Sequence, residues 1–375
     1  MKIVAALDSF KGSLTSLQAG KSVELGAKKI FPDADIKIFP LADGGEGTCK
    51  TLTEGLNGEI KSVEVTAPLG EKIFADFGII PEKNLAVIEM ASAAGLDLVP
   101  ENLRNPLDTT TFGVGEIILS AMHEGCRNFI IGIGGSSTND CGLGMLTALG
   151  FKFFDSENKP CGIFGRDLKN ICKIETENVP AEIFDCQFKI ACDVKNPLTG
   201  ENGCSEMYAP QKGATPEIVR QMDGWIKNFS EVAAKKFPDK KISVEGDGAA
   251  GGLGFAFRTF LGGELVPGVN LILQTLNIAE DLKNADLLIT GEGSIDNQTL
   301  QGKAPAGVAK LAKILNPKIK VVALGGSVQN LNASSDIDAV FSILRRPVTL
   351  TEAMQKNIAQ ENISAVVEQI LKLLK

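Results

Sequence analysis

The chain has 375 residues, enough for about two domains, and its 44% hydrophobic and 22% charged residues form a globular balance that excludes a disordered chain. With 38 Lys and Arg against 46 Asp and Glu, the net charge is −8. No Lys/Arg-rich run offsets it, so a nucleic-acid binder is excluded, and any anionic ligand must be held by a few placed cations and backbone N–H groups.

Met1 leads directly into an apolar run that is too short for a signal peptide, and Ile3–Leu7 reads as a buried strand. Thr15 with Gln18 three residues on is a capping-box pattern, and Leu17, Val23, Leu25 and Ile30 are expected on the helix that follows. Ile36–Phe39 reads as a second strand, followed by the loop Ala42–Gly47 and a helix to about Leu56. This βαβα order opens a parallel sheet covered by helices. Val63–Gly70 and Ile73–Ile80 alternate as antiparallel strands do, and Phe129–Ile133 is a further apolar strand. Near the C-terminus, Leu287–Thr290, Val321–Leu324 and Val340–Ile343 read as short strands between helical stretches. A Thr349/Glu352 capping box is expected to open the final helix, with Ile363, Val366, Val367, Ile370, Leu371 and Leu374 on its apolar stripe. The simplest architecture is one α/β domain built from both chain ends with a second domain inserted between them.

Glycine loops follow the strands. Asp8-Ser9-Phe10-Lys11-Gly12-Ser13 lies where open α/β sheets place ligands, and its carboxylate, cation and hydroxyls suit an anion. The competing reading has Ser13 and Thr15 only capping a helix. Asp43-Gly44-Gly45-Glu46-Gly47 lets backbone N–H groups approach a ligand, with Asp43 or Glu46 available to a metal or hydroxyl, or else it is only a tight turn. Gly134, Gly135, Ser136, Ser137 and Asn139 resemble a phosphate cradle, although Ser137 stands where a dinucleotide fingerprint needs its third glycine. Asp193 and Asn196 end another strand in an acidic, amide-bearing turn, and Gly246–Gly254 suits a lid or a close backbone approach. Glu292, Asp296 and Lys303, beyond Leu287–Thr290 and before a Pro-started helix, make a credible Mg-nucleotide site without being a Walker motif.

The one histidine, His123, reads as a helix-end residue, which rules out multi-His metal or acid/base schemes. The eight cysteines form neither Cys-x-x-Cys nor zinc spacing, and no Gly-x-Ser-x-Gly offers a nucleophile. No apolar stretch approaches ~20 residues. A reduced, cytoplasmic protein without a membrane span is expected.

Taken together, Asp8–Leu14, Pro40–Thr48, Asn105–Thr110, Gly132–Asp140, Asp193–Leu198, Ala209–Ala214 and Gly291–Lys303 resemble the bacterial class I glycerate kinases in seven motifs along the whole chain. The chain departs from the family pattern at Cys141, Cys204 and Ser294. The resemblance implies a Rossmann-like α/β domain from 1–65 and 280–375, an inserted α/β domain at 66–279, and an active site in the cleft between them. It also implies transfer of the γ-phosphoryl group of ATP, with Mg²⁺, to the 2-hydroxyl of D-glycerate, giving 2-phosphoglycerate. The residues suit that chemistry independently, since phosphoryl transfer needs positioning and charge neutralisation more than a nucleophile.

Asp193 is the first candidate for orienting the hydroxyl and Asp296 the second. Asp43, Glu292 and Asp296 are candidates for Mg²⁺, and Lys11 and Lys303 for phosphate charge. Asp8, Ser9, Gly44, Gly45, Gly134, Gly135, Ser136, Ser137, Asn139 and Asn196 are candidates for substrate or phosphate. A nicotinamide-dependent hydroxy-acid dehydrogenase is disfavoured by the lack of a dinucleotide fingerprint and a catalytic histidine. A non-catalytic sugar-acid sensor is disfavoured because Asp8, Asp43, Asp193, Glu292 and Asp296 all stand.

Overall fold

The structure is a computed structural model that describes residues 1–241, 243–297, 299, 303–329 and 336–375. In chain order its strands are β1 (Lys2–Leu7), β2 (Asp35–Pro40), β3 (Glu59–Thr66), β4 (Lys72–Ile80), β5 (Leu85–Glu89), β6 (Asn128–Gly132), β7 (Lys152–Phe154), β8 (Lys173–Glu175), β9 (Gln187–Ala191), β10 (Glu264–Val266), β11 (Leu287–Ile295), β12 (Lys320–Val328) and β13 (Ala339–Ser342). The chain divides into two units, one of residues 1–43, 54–57 and 269–375, the other of 44–53 and 58–268. Residues 44–53 and 58–65, expected in the first domain, fall in the second unit, where β3 pairs along its whole length with β4, and 269–279, expected in the insert, fall in the first.

The first unit holds a parallel sheet of order β13-β12-β11-β1-β2. Numbered within the unit, this is 2-1-3-4-5, a doubly wound order that differs from the 3-2-1-4-5-6 of dinucleotide-binding sheets. Burial on both faces explains why β1 reads as a continuous apolar run: Ile3 through Leu7 are all fully buried.

The helix Ser16–Lys28 starts as expected. Gln18 N donates to Thr15 Oγ1 at 3.3 Å and Thr15 N to Gln18 Oε1 at 3.2 Å. Leu17, Val23 and Leu25 lie on it as expected. Leu25 is 63% exposed and Ile30 lies beyond the helix, while Ala19, Gly20, Val23, Gly26 and Ala27 are buried. Small residues let this helix lie close to the last one: a Cβ on Gly26 would stand 2.3 Å from Ser364 O. The Thr349 cap also differs from expectation, because it opens the short helix Leu350–Ala353 rather than the final helix Lys356–Lys372. On that final helix Ile363, Val367, Ile370 and Leu371 are buried, but Leu374 falls past its end and is exposed.

The second unit has a mixed six-stranded sheet of order β10-β9-β6-β5-β4-β3, with β5, β6, β9 and β10 parallel. The β3–β4 hairpin is antiparallel, as its alternation predicts. An aromatic cluster closes the core, with Phe229 stacked on Phe260 at 5.8 Å between ring centroids. The helix expected over 253–261 is present, preceded by left-handed Ala250, Gly251 and Gly252.

Candidate active site

In the first unit β1 and β2 end level, Leu7 beside Pro40, while β11 and β12, which lie alongside at Gly291 and Leu324, run on to Ile295 and Val328. The winding of a 2-1-3-4-5 sheet reverses between its first and third strands, here β1 and β11, and ligands bind beyond the carboxyl ends at that point. Asp8 follows β1 there, its N–H donating to Gly291 O at 2.8 Å, and Glu292 is the next residue of β11. A cavity of about 630 Å³ is lined by Asp8, Ser9, Lys11, Asp43, Glu292, Asp296 and Lys303 on its polar side. Phe10, Ile343, Leu344, Val348, Leu350 and Met354 form its apolar wall.

Asp8 accepts from Ser9 N at 2.6 Å. Burial, with the charges of Asp43 and Glu292 adding to it against Ser9 and Lys11, pushes its pKa up to about 7. Burial likewise raises the pKa of Glu292, against the Thr299 hydroxyl and Lys303. Two buried polar atoms lining this cavity, Glu292 Oε1 and Ser13 Oγ, have no hydrogen-bond partner among the described residues. Asp296 accepts from Thr299 N at 3.0 Å, while its own N–H donates to Thr299 Oγ1 at 3.1 Å. Lys303 stands at the cap of the helix Ala304–Leu315, whose first turn holds Pro305. Gln298 and Gly302 of the same motif lie outside the described residues.

Asp43, Glu292 and Asp296 share this cavity, but among the described residues no three Asp, Glu, His or Cys side chains form a metal-holding group. The three expected carboxylates thus line one cavity without forming a preformed ligand cluster among the described residues. Mg²⁺ usually takes one or two carboxylates, with waters and substrate phosphates supplying the rest. The unpartnered Glu292 Oε1 fits such a partial role.

In the second unit β5, β6 and β9 also end in register, Glu89 beside Gly132 and Gly132 beside Ala191. A cavity of about 250 Å³ there is lined by Gly44, Gly45, Glu46, Glu89, Gly132, Gly134 and Gly135, among others. Glu89 accepts from Cys49 N at 2.7 Å and from Gly47 N, which fastens the glycine loop to β5; burial raises its pKa. Gly132 permits the approach, since a Cβ there would lie 2.7 Å from Gly44 O.

Gly134 and Gly135 are exposed, whereas residues 136–140 are buried. Ser137 Oγ donates to Ala94 O at 2.9 Å, and the Asn139 amide to Ser205 Oγ at 2.9 Å. These two side chains, expected on a phosphate, face the protein instead. Asn196 is likewise engaged at both ends, donating to Asn202 O at 2.9 Å and accepting from Tyr208 OH at 2.5 Å. Asp193 is exposed and accepts from Gly268 N at 2.9 Å.

Sequence reasoning missed Glu89, the apolar wall at 343–354, and the burial of Lys212. Glu89 carried a readable signal, a carboxylate ending an apolar strand as Asp8 does. Lys212 carried none, because lysines are exposed by default.

Carboxylates of raised pKa and two lysines at the winding reversal of an α/β sheet suit the charge handling of phosphoryl transfer, and the protein is a phosphotransferase acting on an alcohol group. Residues 3–375 match the model of the glycerate kinase family. A glycerate kinase of Halalkalibacterium halodurans is 44% identical over 357 residues, covering 94% of this chain and 93% of that one. A glycerate 2-kinase of Escherichia coli is 43% identical over 373 residues, 97% of each chain. A crystal structure assigned as a glycerate kinase 2 from Salmonella typhimurium superposes with a TM-score of 0.91 at 40% identity, covering 100% of this chain and 98% of that one. The chain belongs to the glycerate kinase family.

Proposed function

We propose that the protein transfers the γ-phosphoryl group of ATP, in the presence of Mg²⁺, to the 2-hydroxyl of D-glycerate, giving 2-phosphoglycerate. The family membership supports the reaction class, and one observation carries the placement. The cavity at the winding reversal joins an apolar wall, suited to a nucleobase, to a polar side with Lys11 and Lys303 for anionic oxygens. Among the described residues, no helix is long and apolar enough to cross a membrane.

Glu292 and Asp43 are the side chains best placed to hold Mg²⁺, with Asp296 braced by Thr299 beside them. When bound, the ion neutralises charge on the phosphate oxygens. Asp8 takes the proton of the attacking hydroxyl. A carboxylate with a pKa of about 7 is matched to that task, which ordinary carboxylates meet less well. This moves the role from Asp193 and Asp296, the first of which is exposed and the second tied to Thr299.

The test is ADP release dependent on D-glycerate, with the product fed to enolase alone. Signal without added phosphoglycerate mutase supports attack by the 2-hydroxyl. Signal only after the mutase is added rejects that regiochemistry, and glycerate-independent ADP release rejects the substrate.

A further inference from the structure

The exposed turn Gly134–Gly135 rests on a polar core that the reaction above leaves unused. Lys212, in the 209–214 motif, is only 1% exposed. Its Nζ donates to Ser136 Oγ at 2.7 Å and to Thr138 O at 2.5 Å, and it makes no ion pair among the described residues. A buried ammonium without a counter-ion is costly to keep. Asp140 and the Cys204 thiol face it. Asp140 is already engaged, accepting from Thr111 N and Oγ1 and from Gly142 N and Gly144 N. Burial pushes the thiol up to about 12, so it stays uncharged.

Ser136 Oγ accepts from the ammonium, so its own hydrogen must point to another group, and it donates to no described residue. Thr138 Oγ1 and Asn139 Oδ1 beside it are also buried without partners among the described residues. A positive charge one hydroxyl below an exposed glycine turn is an arrangement for an anion at that turn.

We propose that Lys212 is a positioning residue that acts through the Ser136 hydroxyl to hold an anionic group, a carboxylate or a phosphate, at Gly134–Ser136. The inference rests on the reading of this loop as a substrate site. Burial lowers the pKa of Lys212 from 10.5 to about 8, so the ammonium is present below that value and lost as pH rises through it. The KM of the ligand held there therefore climbs about 10-fold one unit above that pKa, as the competent fraction falls.

The test measures KM for D-glycerate and KM for ATP separately, from about pH 6.5 to about 9.5, in wild type, Lys212→Met and Ser136→Ala. Each variant is expected to raise one of the two KM values about 10–100-fold with kcat largely kept, and Lys212→Met to abolish the alkaline rise. A change in the glycerate KM identifies a carboxylate, and a change in the ATP KM a phosphate. Where Lys212→Met does not fold, Ser136→Ala decides. A folded Lys212→Met that keeps the alkaline rise, or a Ser136→Ala with both KM values unchanged, overturns the proposal. Gly135→Val separates the two readings: raised KM there with an unaffected Ser136→Ala rejects only the role of Lys212, whereas no effect in any variant rejects the loop as a substrate site.

Discussion

Asp8 in the first unit and Asp140 in the second both sit in glycine-flanked loops after apolar strands, and burial raises the pKa of both. Their bonding separates them. Asp140 is wholly buried and accepts four hydrogen bonds, from Thr111 N at 2.9 Å, Thr111 Oγ1 at 2.7 Å, and Gly142 N and Gly144 N at 3.2 Å each. It ties the 140–144 turn to Thr111, as a structural carboxylate does. Asp8 accepts a single local bond, from its neighbour Ser9, and faces two further carboxylates across a cavity. A buried carboxylate with its bonds made serves the fold, and one held at an ionisation cost is a candidate for chemistry.

The contrast breaks most directly on kinetics. Asp8→Asn should lower kcat by about 10²–10⁴-fold with the fold intact, read by steady-state turnover beside a melting curve. Asp140→Ala should act on stability, removing about 3 kcal/mol or more by stranding the donors of Thr111, Gly142 and Gly144, read by urea unfolding. If the two phenotypes were exchanged, the bonding criterion would be wrong.

Glu292→Gln sharpens the same contrast for the unpartnered Oε1. It should raise the Mg²⁺ concentration for half-maximal activity about 10–100-fold, read by a metal titration at saturating substrates. Asp338 gives the smallest effect. Its carboxylate accepts from Lys313 Nζ at 2.8 Å and Val321 N at 2.7 Å, and these bonds hold its pKa below the usual value against modest burial. A depressed carboxylate stabilises the fold above its unfolded pKa and loses that contribution as pH falls through the folded one. Asp338→Asn should therefore cost about 1 kcal/mol or less at neutral pH and nothing in strong acid, seen by comparing melts at the two pH values.

What could be read in the sequence was local or periodic. The Thr15–Gln18 capping box depends on residues three apart, and β1 showed itself because both faces are buried. Asp8 and Glu292 were readable because each closely follows a short apolar run, Ile3–Leu7 and Leu287–Thr290. What depended on distant partners was not. The order 2-1-3-4-5 depends on β11 inserting beside β1, with Ile3 paired to the distant Leu287. The buried face of the helix Ser16–Lys28 was not legible, because glycine and alanine, not leucine, permit its approach to the last helix. Asn139 and Ser137 looked available to a phosphate until their partners Ser205 and Ala94 arrived from elsewhere in the chain. The apolar wall of the cavity comes from a segment, 343–354, with no motif of its own.

The most direct test of the account needs no substrate. Wild type and Asp8→Asn are unfolded in urea without divalent cations at a series of pH values from about 4 to about 8. A carboxylate whose folded pKa is raised from 3.8 to about 7 favours the fold while protonated and loses that contribution as pH rises through the folded value. The two proteins should therefore be nearly equal in stability at the acid end. Asp8→Asn should become the more stable by about 1–3 kcal/mol at the alkaline end, while its turnover collapses. A stability difference that does not change with pH, or one in which Asp8→Asn is the weaker protein throughout, would contradict the claim that Asp8 is kept at a cost for its chemistry.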